Sequence, residues 1–236
     1  MTEQTTPAAH TPDWQLFADA EQLAQQATDD ILKAAADAIE KRGAFHIVLA
    51  GGTTPKVIYR LLAKANSDWQ HWHLYLGDER CLPVDDAERN SVMVEECLLS
   101  SVAIPSEQVH FMPSELGPHE AATQYQNTIS GVECFDMVLL GMGEDGHTAS
   151  LFPGHIHDET QLVHPVLNAP KPPPERVSLS SACLSNNVQL LILITGQSKH
   201  SRVIDWISGK PMPVSGITSK HNAAVYCDHA AWLGSN

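Results

Sequence analysis

The residues best equipped for chemistry lie in one glycine-rich stretch, Gly141-Met142-Gly143-Glu144-Asp145-Gly146-His147, directly after an apolar run. A histidine titrates near neutral pH and can take a proton from water; Asp145, two residues before His147, can set its tautomer or orientation. The glycines expose both side chains at the end of a strand. The same stretch contains GxGxxG, the pattern of dinucleotide-binding turns. Pro153 and Gly154 follow too soon to leave room for the helix on which a pyrophosphate would rest, and no strand ends in an acidic residue about twenty positions later. Exposure of a base is therefore the favoured reading. The ordinary one, in a chain with 13 histidines, is that His147 is one side chain among many.

Glycine and charge gather at other places too. Gly51-Gly52-Thr53-Thr54-Pro55 sets two glycines between a strand and a helix start, so backbone N–H groups and the helix dipole can face an anion; a purely structural Gly-Gly turn is the competing reading. Gly77-Asp78-Glu79-Arg80 puts three charged residues straight after a strand. Either they form a solvated turn, or Arg80 clamps a phosphate with its planar fork while Asp78 or Glu79 orients it or meets substrate hydroxyls. Arg176 emerges from the run Ala169-Pro170-Lys171-Pro172-Pro173-Pro174, whose prolines call for an extended, semi-rigid connection. Lys199 stands in the first turn of a predicted helix, where a cation opposes the macrodipole by ~0.3–1 kcal/mol; it either faces an anion or sits in solvent. His71 with His73, and His155 with His157, are i, i+2 pairs that suggest a metal, but no nearby Cys or second compact pair joins either, and no metal is expected.

Alternating strands and helices must position these groups. Apolar residues at helical spacing from Leu16 to Ala38 predict one long helix over Asp13 to Arg42, closed by Gly43. Short apolar runs predict strands at Phe45–Ala50, His73–Leu76, Phe135–Leu140, Val188–Thr195 and Ala223–Cys227. Between them lie a helix from Thr54, with that residue as N-cap and Pro55 at the first position, and helices at Ser91–Leu99, Glu120–Ile129 and Ser198–Ile207. The alternation implies a doubly wound α/β fold, a mostly parallel sheet with helices on both faces and a modified Rossmann-like plan, as a single domain over residues 1–236. Such sheets bind ligands beyond the carboxyl ends of their strands, where all four loops fall.

Composition excludes several classes. Lys and Arg number 14 against 28 Asp and Glu, and the formal net charge of −14 repels nucleic acid, so any bound phosphate needs a local cluster of donors. Five cysteines, an odd number without a CxxC pair, suit free thiols in a reducing cytosol rather than a disulfide framework. Residues 1–12 carry no secretory pattern, and no stretch approaches the ~18 apolar residues of a membrane span. A cytoplasmic monomer is expected.

The motifs together resemble the 6-phosphogluconolactonase family, within the larger group that includes glucosamine-6-phosphate deaminase. The matching pieces are Leu49 to Pro55, Gly77 to Arg80, Asn90-Ser91, Gly141 to Gly154, Lys171 to Arg176, and Thr195-Gly196 with Lys199. The resemblance implies hydrolysis of 6-phospho-D-glucono-1,5-lactone, in the oxidative pentose phosphate pathway, without a cofactor. It further implies His147 as base, Gly51, Gly52 and Thr53 as phosphate loop, and Arg80, Arg176 and Lys199 as basic site residues. Ala50 departs from the family's usual Ser. The deaminase pattern carries Glu where this chain has Phe152, and Tyr where it has Arg80, so deaminase or isomerase chemistry is the alternative, beside a non-catalytic phosphosugar-binding protein. Ser150 near His147 is a conceivable nucleophile, but it does not stand in a GxSxG elbow, and a water route is simpler.

Overall fold

A computed structural model of the chain describes residues 12–156 and 158–234. In chain order its elements are β1 (Asp13–Phe17), α1 (Ala20–Arg42), β2 (Phe45–Leu49), α2 (Thr53–Leu62), β3 (Trp72–Leu76), β4 (Asp78–Arg80), α3 (Asn90–Cys97), β5 (Val109–His110), α4 (Pro118–Ile129), β6 (Phe135–Gly141), β7 (Val163–Val166), β8 (Arg176–Leu179), α5 (Ser181–Ser185), β9 (Asn187–Ile194), α6 (His200–Ile207), β10 (Asn222–Asp228) and α7 (His229–Leu233). Seven strands form a sheet in the order β1-β10-β9-β6-β2-β3-β5, every pair parallel. The expected α/β class is the one observed.

Parallel strands covered by helices are apolar along their whole length, because both faces are buried. Strand β6 shows this, with Phe135 to Leu140 all buried and all apolar but Asp136, whose carboxylate is paired with Arg42 and the His46 amide. Helix α1 lies across β2, β6 and β10 through an alanine-rich face, Ala24, Ala27, Ala34, Ala35 and Ala38, which lets its backbone approach the sheet closely. Below them Phe45 and Trp72 meet edge to face, with centroids 4.8 Å apart.

The sequence reading of one helix from Asp13 is corrected here, because residues 13–17 form the edge strand β1, paired with β10. The helix begins only after Asp19, whose carboxylate accepts from the Glu21 and Gln22 amides, and it stops at Gly43 in the left-handed region at φ 80°. Leu16, assigned by periodicity to the buried stripe, is 44% exposed. A second correction concerns β4 and β8. Gly77 to Arg80 is not a simple loop: Asp78–Arg80 pairs antiparallel with Arg176–Leu179, which pairs in turn with Val163–Val166. This small sheet joins the Asp78 region to the Arg176 region.

Chain order around the large sheet reverses between β2 and β6. From β2 the chain proceeds outward through β3 to β5, whereas β6, β9 and β10 run the other way. The crevice beyond these two strands is the switch point at which doubly wound sheets bind ligands. Among the described residues no helix is long and apolar enough to cross a membrane.

Candidate active site

A cavity of about 410 Å³ opens at that switch point. Into it come Gly51 and Gly52 after β2, Asp78 and Arg80 of β4, His147 after β6, Arg176 of β8 and Lys199 after β9. Thr53 is exposed at the start of α2 and does not line the cavity; Thr54 does not cap the helix but bonds through its hydroxyl to that of Thr195, 2.6 Å away. Gly52 takes the N-cap position instead, at φ 115°, a conformation glycine adopts without strain.

The base is built by local backbone geometry. After Gly141 the chain turns so that the Gly143 N–H bonds the His147 carbonyl at 2.8 Å, and the imidazole folds back over Gly143. A β-carbon on Gly143 would lie 2.0 Å from His147 Nδ1, so the glycine is needed for space. His147 Nδ1 meets Asp145 Oδ1 at 2.5 Å. A carboxylate accepts, so the neutral ring carries its proton on Nδ1, and Nε2 is the basic nitrogen left for the cleft. Beneath the ring lies Phe152, buried, with centroids 4.7 Å apart; Arg176 sits over the same phenyl ring at 5.6 Å. Burial pulls the His147 pKa below its ordinary 6.5; the hydrogen bond and charge of Asp145 oppose this, Lys171 adds to it and Asp78 opposes it weakly. Burial raises Asp145, but hydrogen bonds from the His147 ring and backbone outweigh that and hold its carboxyl below the usual value.

Four cations face the cleft of a chain that is strongly acidic overall: Arg80, Lys171, Arg176 and Lys199. Arg80 donates from Nη1 to the Glu88 carbonyl, while its Nε is buried with no hydrogen-bond partner. The anion-binding role rests on the guanidinium lining the cleft beside three other cations. Arg176 donates from Nε to the Pro173 carbonyl (3.1 Å) and from Nη2 to those of Lys171 (3.1 Å) and Pro172 (3.0 Å). The proline run is therefore not extended as expected. It closes on itself: the Ala169 N–H bonds the Pro174 carbonyl at 3.0 Å, and Arg176 gathers the carbonyls of Lys171, Pro172 and Pro173. Burial lowers the pKa of Lys199, with Glu144 opposing it, and also that of Arg176, with Asp78 opposing it.

The two acids after β3 diverge. Asp78 lines the cleft and accepts from Ser150 Oγ at 2.6 Å; Ser150 itself is fully buried and does not line the cleft, which keeps its hydroxyl from a substrate bound there. Glu79 is 0% exposed and lies off the cleft. One of its oxygens accepts from the amides of Arg80 and Asn90, the other from that of Ser91, each at 2.8 Å, and Arg89 lies 3.6 Å away. Glu79 thus caps α3 and neutralises a buried arginine. Glu79→Gln is expected to cost about 3–5 kcal/mol of stability, the usual penalty for breaking a buried ion pair. The denaturation midpoint measures this, and turnover per folded molecule should stay within a few-fold of wild type; normal stability with lost turnover would restore Glu79 to the substrate.

Lys171, Asn90 and Thr148 also line the cleft, although sequence reasoning did not single them out as site residues. Of the paired histidines, His71 pairs with Asp68 at 3.0 Å, His73 stacks on His46, and His157 lies outside the described residues. Among the described residues no three His, Cys, Asp or Glu side chains come together as a metal site.

A model of the family described as glucosamine-6-phosphate isomerases/6-phosphogluconolactonase matches residues 18–226. The chain belongs to this family. It is 33% identical to a 6-phosphogluconolactonase of Mycobacterium bovis, with 92% of this chain and 96% of that protein covered. It is 35% identical to the GDH/6PGL endoplasmic bifunctional protein of Oryctolagus cuniculus over 91% of its own length, but spans only 29% of that relative. The crystal structure of 6-phosphogluconolactonase from Thermotoga maritima superposes with a TM-score of 0.87 at 29% identity, covering 92% of this chain and 100% of the other.

Proposed function

We propose that this chain hydrolyses 6-phospho-D-glucono-1,5-lactone to 6-phospho-D-gluconate, with His147 as the general base. The observation that carries the reading is the pairing of His147 Nδ1 with Asp145, which leaves Nε2 basic in a cleft lined by four cations. The phosphate takes Arg80 and Lys199, with amides of the Gly51-Gly52 turn, and the lactone carbon comes to rest beside His147. Nε2 removes a proton from water as its oxygen bonds to the lactone carbon. The carbonyl becomes an oxyanion, for which Lys171, a cation of the cleft whose charge is felt at His147, is the candidate partner. Collapse breaks the bond to the ring oxygen, which takes the proton back from the imidazolium and leaves as a hydroxyl.

Isomerase or deaminase chemistry is disfavoured by Phe152 and Arg80, and simple binding by a base already paired with its orienting acid. We place the enzyme in the cytoplasm, its five cysteines being free thiols as a reducing compartment keeps them, and propose that it acts as a monomer.

The pH profile tests the base. Only neutral imidazole accepts a proton, so kcat/KM falls as pH drops through the His147 pKa. Since burial lowers that pKa, the limb should lie on the acid side of 6.5. Asp145→Asn removes the opposing contribution and should move the limb further to acid while lowering the rate. A chelator should change neither curve. An unmoved limb in Asp145→Asn, or activity lost to the chelator and restored by a divalent ion, would contradict the assignment.

A further inference from the structure

Asn90 opens α3 with its side chain held from below. Its Nδ2 donates to the Asp78 carbonyl at 2.9 Å and to Asp78 Oδ1 at 3.2 Å. Both partners accept, so the amide has one orientation, NH2 toward Asp78 and Oδ1 away from it. Oδ1 lies over Gly51, where a β-carbon would come within 2.1 Å of it, and Asn90, Gly51 and Asp78 all line the cleft. Asn90 itself is only 4% exposed, so the side chain cannot swing out to find another partner. Both of its side-chain hydrogen bonds within the described residues use Nδ2, which leaves Oδ1 to the cleft.

An acceptor fixed on a cleft wall calls for a donor from the ligand. A phosphate dianion and a lactone carbonyl offer only acceptors. A sugar hydroxyl offers a donor. We propose that Asn90 is a specificity residue whose Oδ1 accepts a hydrogen bond from one ring hydroxyl of the sugar lactone. The identity of that sugar rests on the lactonase reading. The cleft then divides recognition by chemistry: cations read the phosphate, Asn90 reads a hydroxyl, and His147 handles water. Aspartate would not serve at position 90, because it would set a second carboxylate against Asp78.

The test compares kcat/KM on 6-phosphogluconolactone and its 2-, 3- and 4-deoxy analogues. Wild type should disfavour one analogue by roughly ten- to hundredfold, the range for an acceptor that the bound sugar covers and leaves unpaired. In Asn90→Ala that difference should vanish, the parent falling to the level of the analogue. Gly51→Ala, whose added carbon would displace Oδ1, should give the same collapse and serves if Asn90→Ala fails to fold. An equal loss on all four lactones, with the discrimination kept, overturns the proposal, as does a wild type that treats them alike. If wild type does not accelerate the parent lactone, the lactonase reading fails on its own; Asn90 is then judged by calorimetry with glucose 6-phosphate and its monodeoxy analogues, where a difference present in wild type and lost in the variants supports it and a persisting or absent difference overturns it.

Discussion

His147→Ala should keep the fold and lower kcat on the phosphorylated lactone by ~10²–10⁴, the contribution of a positioned general base. The fold survives because the imidazole lies at the cleft wall, on a loop whose backbone closes through the Gly143 N–H and the His147 carbonyl, neither of which the substitution removes. KM should change little, since phosphate recognition lies with other residues. The loss should also erase the acid limb, because the group that titrates is gone. Turnover near wild type in the purified, folded variant would remove His147 from the mechanism. An equal fall in Ser150→Ala would point instead to a covalent route, which the burial of Ser150 away from the cleft argues against.

Arg80→Leu carries the second large effect, and it depends on the substrate. The guanidinium lines the cleft, and a charge-assisted bond to phosphate is worth ~1.5–3 kcal/mol, or roughly 10- to 150-fold in kcat/KM. That loss should appear with 6-phosphogluconolactone and be nearly absent with unphosphorylated gluconolactone. Arg176 differs from Arg80 here: its Nε and Nη2 hold the Lys171 turn, so its removal should harm both substrates. Equal losses on both lactones in Arg80→Leu would make Arg80 structural. Kinetics on the two substrates side by side decide it.

Much of this arrangement is legible in the sequence, for definite physical reasons. The central strands are continuous apolar runs because the parallel sheet buries both faces, and the glycine-rich ends of β2 and β6 mark where ligand chemistry collects. Strand β1 is hidden because Leu16 continues, by coincidence, the periodicity of α1. The small sheet is hidden because β4 is three charged residues, whose strand character comes only from pairing with a segment nearly a hundred positions later. Glu79 looks like a site acid for the same reason: its partners at Asn90 and Ser91 are set by tertiary folding, not by local pattern. Lys171 is visible as the one charge inside the proline run. Its place at the cleft depends on Arg176 gathering the carbonyls of that run, which no propensity encodes. Asn90 belongs to a matched motif, but its role needs the amide orientation that Asp78 dictates.

The most direct test is to generate 6-phosphogluconolactone freshly and follow acid release with and without the protein. Lactonase activity predicts release far above the spontaneous rate, saturable in the lactone, lost in His147→Ala and suppressed as pH falls below the limb set by that residue. Release at the spontaneous rate by folded wild-type protein that still binds the lactone would contradict the account and leave a phosphosugar-binding protein in its place.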